Sequence, residues 1–217
     1  MNFEQARFNM VEQQIRPWDV LDFDILDALS DLPRERFVMP EQLGYAYADT
    51  ALRLPNGGQM LEPKVIARLM QGLKLQKSDT VLEIGTGSGY ATALLATLAG
   101  RVISVDLDET QQQRAAAVLA ELGITNVEFR VLDGLHGLGD TFSAVYVGGS
   151  CPVMPEKLKQ QLAEHGRMAV IVGEAPVMRA TLVERTGSDT FSETVMFDTV
   201  APALHSKATP APGAFRF

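Results

Sequence analysis

Three glycines at alternate positions, Gly85, Gly87 and Gly89, follow the short apolar run Val81-Leu82-Glu83-Ile84, with Thr86 and Ser88 between them. Alternating glycines after a buried strand permit a tight turn and let a ligand approach the backbone closely. A helix starting near Ser88 would present free N–H groups toward an anionic part of that ligand. Carboxylates recur around this turn. Glu83 stands just ahead of Gly85, Asp106-Leu107 ends the next apolar run, and Asp133-Gly134 follows the one after. A carboxylate suits a ribose diol because it accepts from both hydroxyls, and it repels a ribose phosphate.

The spacing narrows the ligand. A dinucleotide turn reads G-x-G-x-x-G, its third glycine letting the helix pack on the strand, whereas this turn reads G-x-G-x-G. Glu83 is poorly placed beside a pyrophosphate and well placed for an ammonium. S-adenosyl-L-methionine has an ammonium, a carboxylate, a ribose diol and no phosphate, so the charge pattern favours this methyl donor. The expected cofactor-binding residues are Glu83, Gly85, Thr86, Gly87, Ser88, Gly89, Asp106, Leu107, Asp133 and Gly134. Plainer roles stay open for two of them: Asp106 as the N-cap of a helix starting at Leu107, and Asp133 as a turn residue before Gly134. Cys151 precedes Pro152 with no base beside it and reads as a packing residue. His136, His165 and His205 share no metal-ligand spacing and read as surface or loop residues, so no metal is expected. Met60, Met70 and Met168 read as core filler.

These residues need a frame. From 80 to 173 apolar strands alternate with helices, in the order strand 80–84, helix 90–98, strand 101–105, helix 109–122, strands 127–131 and 144–147, helix 154–164 and strand 167–172. Such alternation implies an α/β fold, a mostly parallel Rossmann-like sheet with helices on both faces. Two helices are expected over 1–40; in the second, Val20, Leu21, Ile25, Leu26, Ala28, Leu29 and Leu32 recur at helical spacing before Pro33. Residues 41–63 are irregular, punctuated by Pro55, Gly57, Gly58 and Pro63. Residues 177–200 read as two antiparallel edge strands, and the proline-rich tail 202–217 as loosely held. The whole is expected to be one domain: N-terminal helices and lid (1–63), cofactor-binding core (64–201) and tail (202–217).

Composition agrees with a single domain. The chain has 217 residues, 46% hydrophobic, enough to bury a core without disulfide or metal staples. One cysteine excludes an internal disulfide framework and fits a reducing compartment. Nineteen basic against 27 acidic residues, a formal charge of −8, argue against a broad phosphate-binding face and hence against nucleic acid. The N-terminus has no basic start leading into an apolar stretch, and no run approaches the length of a membrane span. A soluble, cytoplasmic protein is expected, with no membrane partner and an oligomeric state left open.

The motifs resemble those of the protein-L-isoaspartate O-methyltransferases over nearly the whole chain up to about residue 185. Met10-Val11 with Gln14-Ile15-Arg16 resembles the family's opening helix. Pro33-Arg34-Glu35-Arg36-Phe37-Val38 is similar to its Pro-Arg-Glu-x-Phe-Val segment, and Ala46-Tyr47-Ala48-Asp49 to its Ala-Tyr-x-Asp. Leu82 to Tyr90 resembles its cofactor loop without a substitution, and Asp133-Gly134 with Gly137 its next one. The cofactor loop alone indicates a class I methyltransferase; the N-terminal segments narrow it to this family. The resemblance implies methyl transfer from S-adenosyl-L-methionine to the carboxylate of L-isoaspartyl or D-aspartyl residues in damaged proteins.

One segment departs. After Gly-Gln the family carries Thr-Ile-Ser, one more residue and a proline; here Gly58-Gln59 runs into Met60-Leu61-Glu62-Pro63, one residue shorter and without a hydroxyl. In the family that serine region lies beside the methyl donor and the substrate carboxylate. Gln59, Met60, Leu61 and Glu62 are therefore the substrate-loop candidates, with residues 56–63 expected to line the acceptor pocket. An inward Glu62 would repel an isoaspartyl carboxylate. Three other readings stay open: a methyltransferase of this fold acting on a small molecule or another protein carboxyl, a nucleic-acid base methyltransferase, and a non-catalytic module that binds the methyl donor. The second would want an Asn- or Asp-Pro-Pro-aromatic motif where the chain reads Val147-Gly148-Gly149-Ser150-Cys151-Pro152.

Overall fold

The computed structural model describes residues 2–206. Strands β3 (Thr80–Ile84), β4 (Arg101–Asp106), β5 (Val127–Val131), β6 (Phe142–Cys151), β7 (Leu162–Glu174), β8 (Val177–Arg185) and β9 (Phe191–Thr199) form one seven-stranded sheet. Its order is β5-β4-β3-β6-β7-β8-β9. The pairs among β3 to β7 are parallel, and β8 and β9 add antiparallel. After β3 the chain builds outward through β4 and β5, then returns to lay β6 on the other flank of β3. The crevice at the carboxyl ends of β3, β4 and β6 is thus a topological switch point, where open α/β sheets bind ligands.

The near-continuous apolar strands alternate sides. Val81, Val102 and Tyr146 face a large core shared with α2 (Phe23–Asp31), α3 (Pro63–Leu73) and α4 (Tyr90–Leu98). Leu82, Ile84, Ile103, Val105 and Val147 face a second, smaller core. Helix α5 (Glu109–Glu121) sends Leu119 into the large core. The second face is covered more thinly, by α6 (Glu156–Gln160) and the turn Gly134–His136.

Several boundaries differ from the sequence reading. The helix expected over 154–164 shrinks to α6, because Leu162 already pairs with Phe142 as part of β7. Strand β6 runs ten residues, through Gly148 and Gly149, with a register shift between Tyr146 and Ser150. The N-terminal segment carries α1 (Phe3–Met10), a π-turn and a 3-10 turn before α2. Residues 41–63 hold a 3-10 turn and the small ladder of β1 (Leu52–Arg53) with β2 (Gln59–Met60). The first part of the tail is not loose: Ser150 N–H donates to the Pro202 carbonyl (2.8 Å) and Leu204 N–H to that of Ser150 (2.9 Å). Residues 207–217, including the terminal Phe215-Arg216-Phe217, lie outside the described residues.

Candidate active site

A cavity of about 380 Å³ opens at the switch point. Gly85 and Gly87 form its floor, with φ of +90° and +53°, a left-handed region in which side chains are strained. Gly148 on β6 approaches so closely that a Cβ there would sit 2.9 Å from the Gly85 carbonyl oxygen. Asp106 at the end of β4 fixes the turn: its Oδ2 accepts from Gly87 N–H (3.1 Å) and its Oδ1 from Asp108 N–H (3.0 Å). Each carboxylate oxygen keeps lone-pair capacity for a further donor. The helix-cap role weighed for Asp106 belongs instead to Asp108, which accepts from Gln111 N–H (3.0 Å) ahead of α5. Asp133 caps the Gly134–His136 turn by accepting from Leu135 N–H (3.3 Å) and also lines the cavity, so its turn role and its place at the site coexist. Ile84, Val105 and Leu135 supply flat apolar walls.

Of the ten cofactor residues expected from sequence, the cavity gathers Gly85, Gly87, Asp106, Leu107, Asp133 and Gly134. Ser88 lines an adjoining cleft, while Thr86 and Gly89 sit behind the turn. Gly89 (φ +85°) packs against α5, where an added Cβ would lie 2.7 Å from that of Ala115.

Glu83 does not line the cavity. The two-residue period of β3 turns Leu82 and Ile84 to one face and Val81 and Glu83 to the other, beneath α4. Glu83 is fully buried, and its Oε2 accepts from Thr92 Oγ1 and Ser104 Oγ, both at 2.6 Å. Thr86 Oγ1 lies 2.7 Å from Ser104 Oγ, and Gln112 Nε2 donates to Thr86 Oγ1 (3.0 Å). The hydroxyls thus form a buried chain that ends on Glu83 and ties α5, the glycine turn, β4 and α4 together. Burial pushes the Glu83 carboxyl up to about 8, despite the opposing bonds from Ser104 and Thr92, and nearby Asp106 adds to the rise. Its bonded Oε2 braces the turn from beneath, while its buried Oε1 has no hydrogen-bond partner among the described residues.

The substrate-loop candidates divide. Asn56, Gly57, Gly58 and Gln59 line the cavity. Met60 lines the adjoining cleft, and Leu61 is buried in the core. Glu62 turns away to Lys64 (3.3 Å), which also binds Asp49 (2.6 Å), so the inward charge that would repel a carboxylate substrate is not there.

Sequence reasoning missed Arg34. It is fully buried, its Nε donates to the Ala46 carbonyl (2.8 Å) and its Nη2 to that of Leu61 (3.2 Å), while its guanidinium carbon lies 4.6 Å from the centre of the Tyr90 ring. Among the described residues its Nη1 and the Tyr90 hydroxyl make no hydrogen bond of ordinary geometry, although the two side chains face each other. Desolvation holds the guanidinium below its ordinary value, with the tyrosines opposing. Arg34 therefore joins the chain at Ala46 and at Leu61 to the first residue of α4, directly after the glycine turn. Tyr47 donates to Glu35, and burial together with that bond raises its phenol. The Pro33-Arg34-Glu35 and Ala46-Tyr47-Ala48-Asp49 motifs are thus two sides of one contact. Gly148, Gly149 and the segment Pro202–His205 were missed as well; Leu204 lies 3.1 Å from where a Gly85 Cβ would stand. The paired glycines at the switch strand were the available signal for the first two.

Glycine floor, a carboxylate at the end of β4, apolar walls and switch-point topology together define a nucleoside-binding site of the class I methyltransferase kind, with S-adenosyl-L-methionine as cofactor. Residues 6–204 match the family model of protein-L-isoaspartate(D-aspartate) O-methyltransferase, and the chain belongs to that family. A protein-L-isoaspartate O-methyltransferase of Brucella anthropi is 35% identical over 216 residues, covering 96% of this chain and 98% of that protein. One from Syntrophobacter fumaroxidans is 38% identical, with 85% of this chain and 87% of that protein covered. Among solved structures, a protein-L-isoaspartate O-methyltransferase superposes with a TM-score of 0.79 at 24% identity, over 94% of this chain and 66% of that one. A Plasmodium falciparum chain assigned to the same enzyme, in complex with S-adenosyl-L-homocysteine, superposes with a TM-score of 0.78 at 18% identity, over 94% of this chain and 99% of that one. The match reaches residue 204, well past the point where the motif resemblance ended.

Proposed function

We propose that this chain methylates the side-chain carboxylate of L-isoaspartyl or D-aspartyl residues in damaged proteins, as a repair enzyme working in the cytoplasm. The observation that carries the reading is the joining of the family's acceptor-side motifs by Arg34 beside an intact glycine turn. We read the chain as one methyltransferase domain in which residues 1–63 form the acceptor side. A free, buried Cys151, whose thiol burial pushes up to about 11, suits a reducing compartment. Among the described residues no helix is long and apolar enough to cross a membrane.

When bound, S-adenosyl-L-methionine supplies a methyl group on a positively charged sulfur, ready for in-line displacement. Asp106 would hold the ribose hydroxyls and Gly85 and Gly87 would let the donor lie against the backbone, while Gly134 keeps the wall beside Ile84 free. Gln59 and the Asn56–Gly58 turn close one side, and the apolar side chains of Leu54 and Leu204 line the cavity, where they would exclude water from the acceptor. A carboxylic acid of pKa about 4 is already ionised at neutral pH, so no residue need act as a base. Catalysis then comes from positioning and water exclusion.

The test is transfer of labelled methyl to matched isoaspartyl and aspartyl peptides, recovered as base-labile methanol. Selective labelling of the isoaspartyl peptide is expected. Tight binding of S-adenosyl-L-homocysteine with no transfer to either peptide would move the acceptor elsewhere.

A further inference from the structure

Beside the cofactor cavity lies a second cleft of about 100 Å³, between the β1–β2 hairpin, the segment Arg36–Gln42 and α5. The two share Leu54, and Ser88 and Met60 bring the glycine turn and the substrate loop to the cleft's wall. Its lining is unusual for a chain of net charge −8: Arg36, Arg53 and Arg114 line it and no acidic residue does. Arg36 is paired with Glu121 at the edge. Arg53 and Arg114 are exposed, and among the described residues neither enters an ion pair. Two unneutralised guanidiniums on one cleft offer forked donors that match a carboxylate.

We infer that this cleft is a specificity subsite that takes an acidic side chain of the polypeptide acceptor, a few residues from the residue being methylated. The inference rests on the isoaspartyl reading of the site. A polypeptide that presents its damaged residue at Gln59 must leave the cavity past Leu54 or another wall. An extended chain advances roughly 3.3 Å per residue, so a near neighbour in sequence reaches an adjoining cleft. Damage-prone, solvated segments are rich in charge, and the cleft selects those whose charge is negative. The overall charge of the molecule opposes this, since a field from net −8 repels acidic peptides. A preference for an acidic flank must therefore come from a local source.

The experiment uses N-acetylated, C-amidated isoaspartyl peptides that carry either Glu or Gln at the flanking positions, so that terminal carboxylates are excluded as the anion. The wild type should show a kcat/KM about threefold to tenfold higher for the Glu peptide, the worth of one or two partly solvated ion pairs. Added salt should shrink the preference. The double variant Arg53→Gln, Arg114→Gln should abolish it while leaving the Gln peptide nearly unaffected. Lys74→Gln with Lys77→Gln, in the turn before β3 at the opposite edge of the sheet, removes the same charge and should leave it intact. Equal rates on both peptides in the wild type, or an equal loss on both in the arginine variant, would overturn the inference. Fluorescence anisotropy of the same labelled peptides on enzyme saturated with S-adenosyl-L-homocysteine gives an independent reading. If neither peptide is methylated, the isoaspartyl assignment fails. A preference for the Glu peptide in binding, lost with Arg53 and Arg114, would still uphold the anion subsite, and no preference would dismiss it.

Discussion

The two sides of the cofactor cavity are built differently. The floor is the end of the sheet: Gly85 N–H donates to the Val105 carbonyl (2.7 Å), Asp106 holds Gly87, and every part is fixed by parallel pairing of β3 with its neighbours. The cover is made of loops, Asn56–Gln59 from one side and Pro202–His205 from the other, attached through a few bonds. The Asn56–Gln59 side is held by its own hairpin bonds, and the buried Arg34 ties down the chain just beyond it through the Leu61 carbonyl. The difference separates tasks. Strand pairing fixes the floor, whereas the loops of the cover can change residues without disturbing it.

That comparison can be broken most sharply at Asp106. Replacing it by Ala removes the diol acceptor and releases Gly87, so the affinity for S-adenosyl-L-homocysteine should fall by about 2–3 kcal/mol, roughly 30- to 150-fold, in a calorimetric titration. Unchanged affinity would mean that the floor is not where the nucleoside lies.

Arg34→Met probes the cover. It removes two donors to backbone carbonyls, together worth about 1–3 kcal/mol. The acceptor KM is expected to rise about tenfold while S-adenosyl-L-homocysteine affinity stays within about twofold, with Arg34→Lys recovering part of the loss. Parallel loss of both affinities would show that cover and floor are one unit.

Glu83→Gln is expected to be the mildest, and it sharpens the assignment of Glu83 as a brace. Below the ordinary value of 4.5 the carboxyl is protonated folded and unfolded alike. Above it the unfolded chain ionises first, so burial costs increasing stability as pH rises to about 8 and no more beyond. Urea denaturation midpoints of the wild type should fall between pH 5 and pH 8 by more than those of Glu83→Gln. Equal slopes would place an ionised Glu83 in the folded protein.

The floor was legible in the sequence because its chemistry is local. Alternating glycines, an acid at each strand end and the strand–helix period all lie in short windows, and six of the ten expected residues meet at the cavity. The charge of Glu83 does not show where it points: the two-residue period of β3 turns it under α4, off the cavity lining. The cover was less legible because its contacts are distant in sequence. Nothing near Arg34 announces that it will meet Ala46, Leu61 and Tyr90, and the tail at 202–206 reads as proline-rich until Ser150 pairs with it. Short helices failed for the same reason, since strand pairing overrode the apolar spacing of 154–164.

We propose that methylation of the isoaspartyl carboxylate proceeds by positioning alone, with no residue acting as a base. Single-turnover transfer to an isoaspartyl peptide, scored as base-labile methanol from pH 5.5 to 9, tests it most directly, with the aspartyl peptide as control. Transfer to the isoaspartyl peptide only is expected, at a rate that is flat up to about pH 7 because the acceptor is ionised throughout and the buried Glu83 carboxyl titrates above it, at about 8. No transfer, or a rate that climbs through a titration near neutrality and so demands a base, would contradict it.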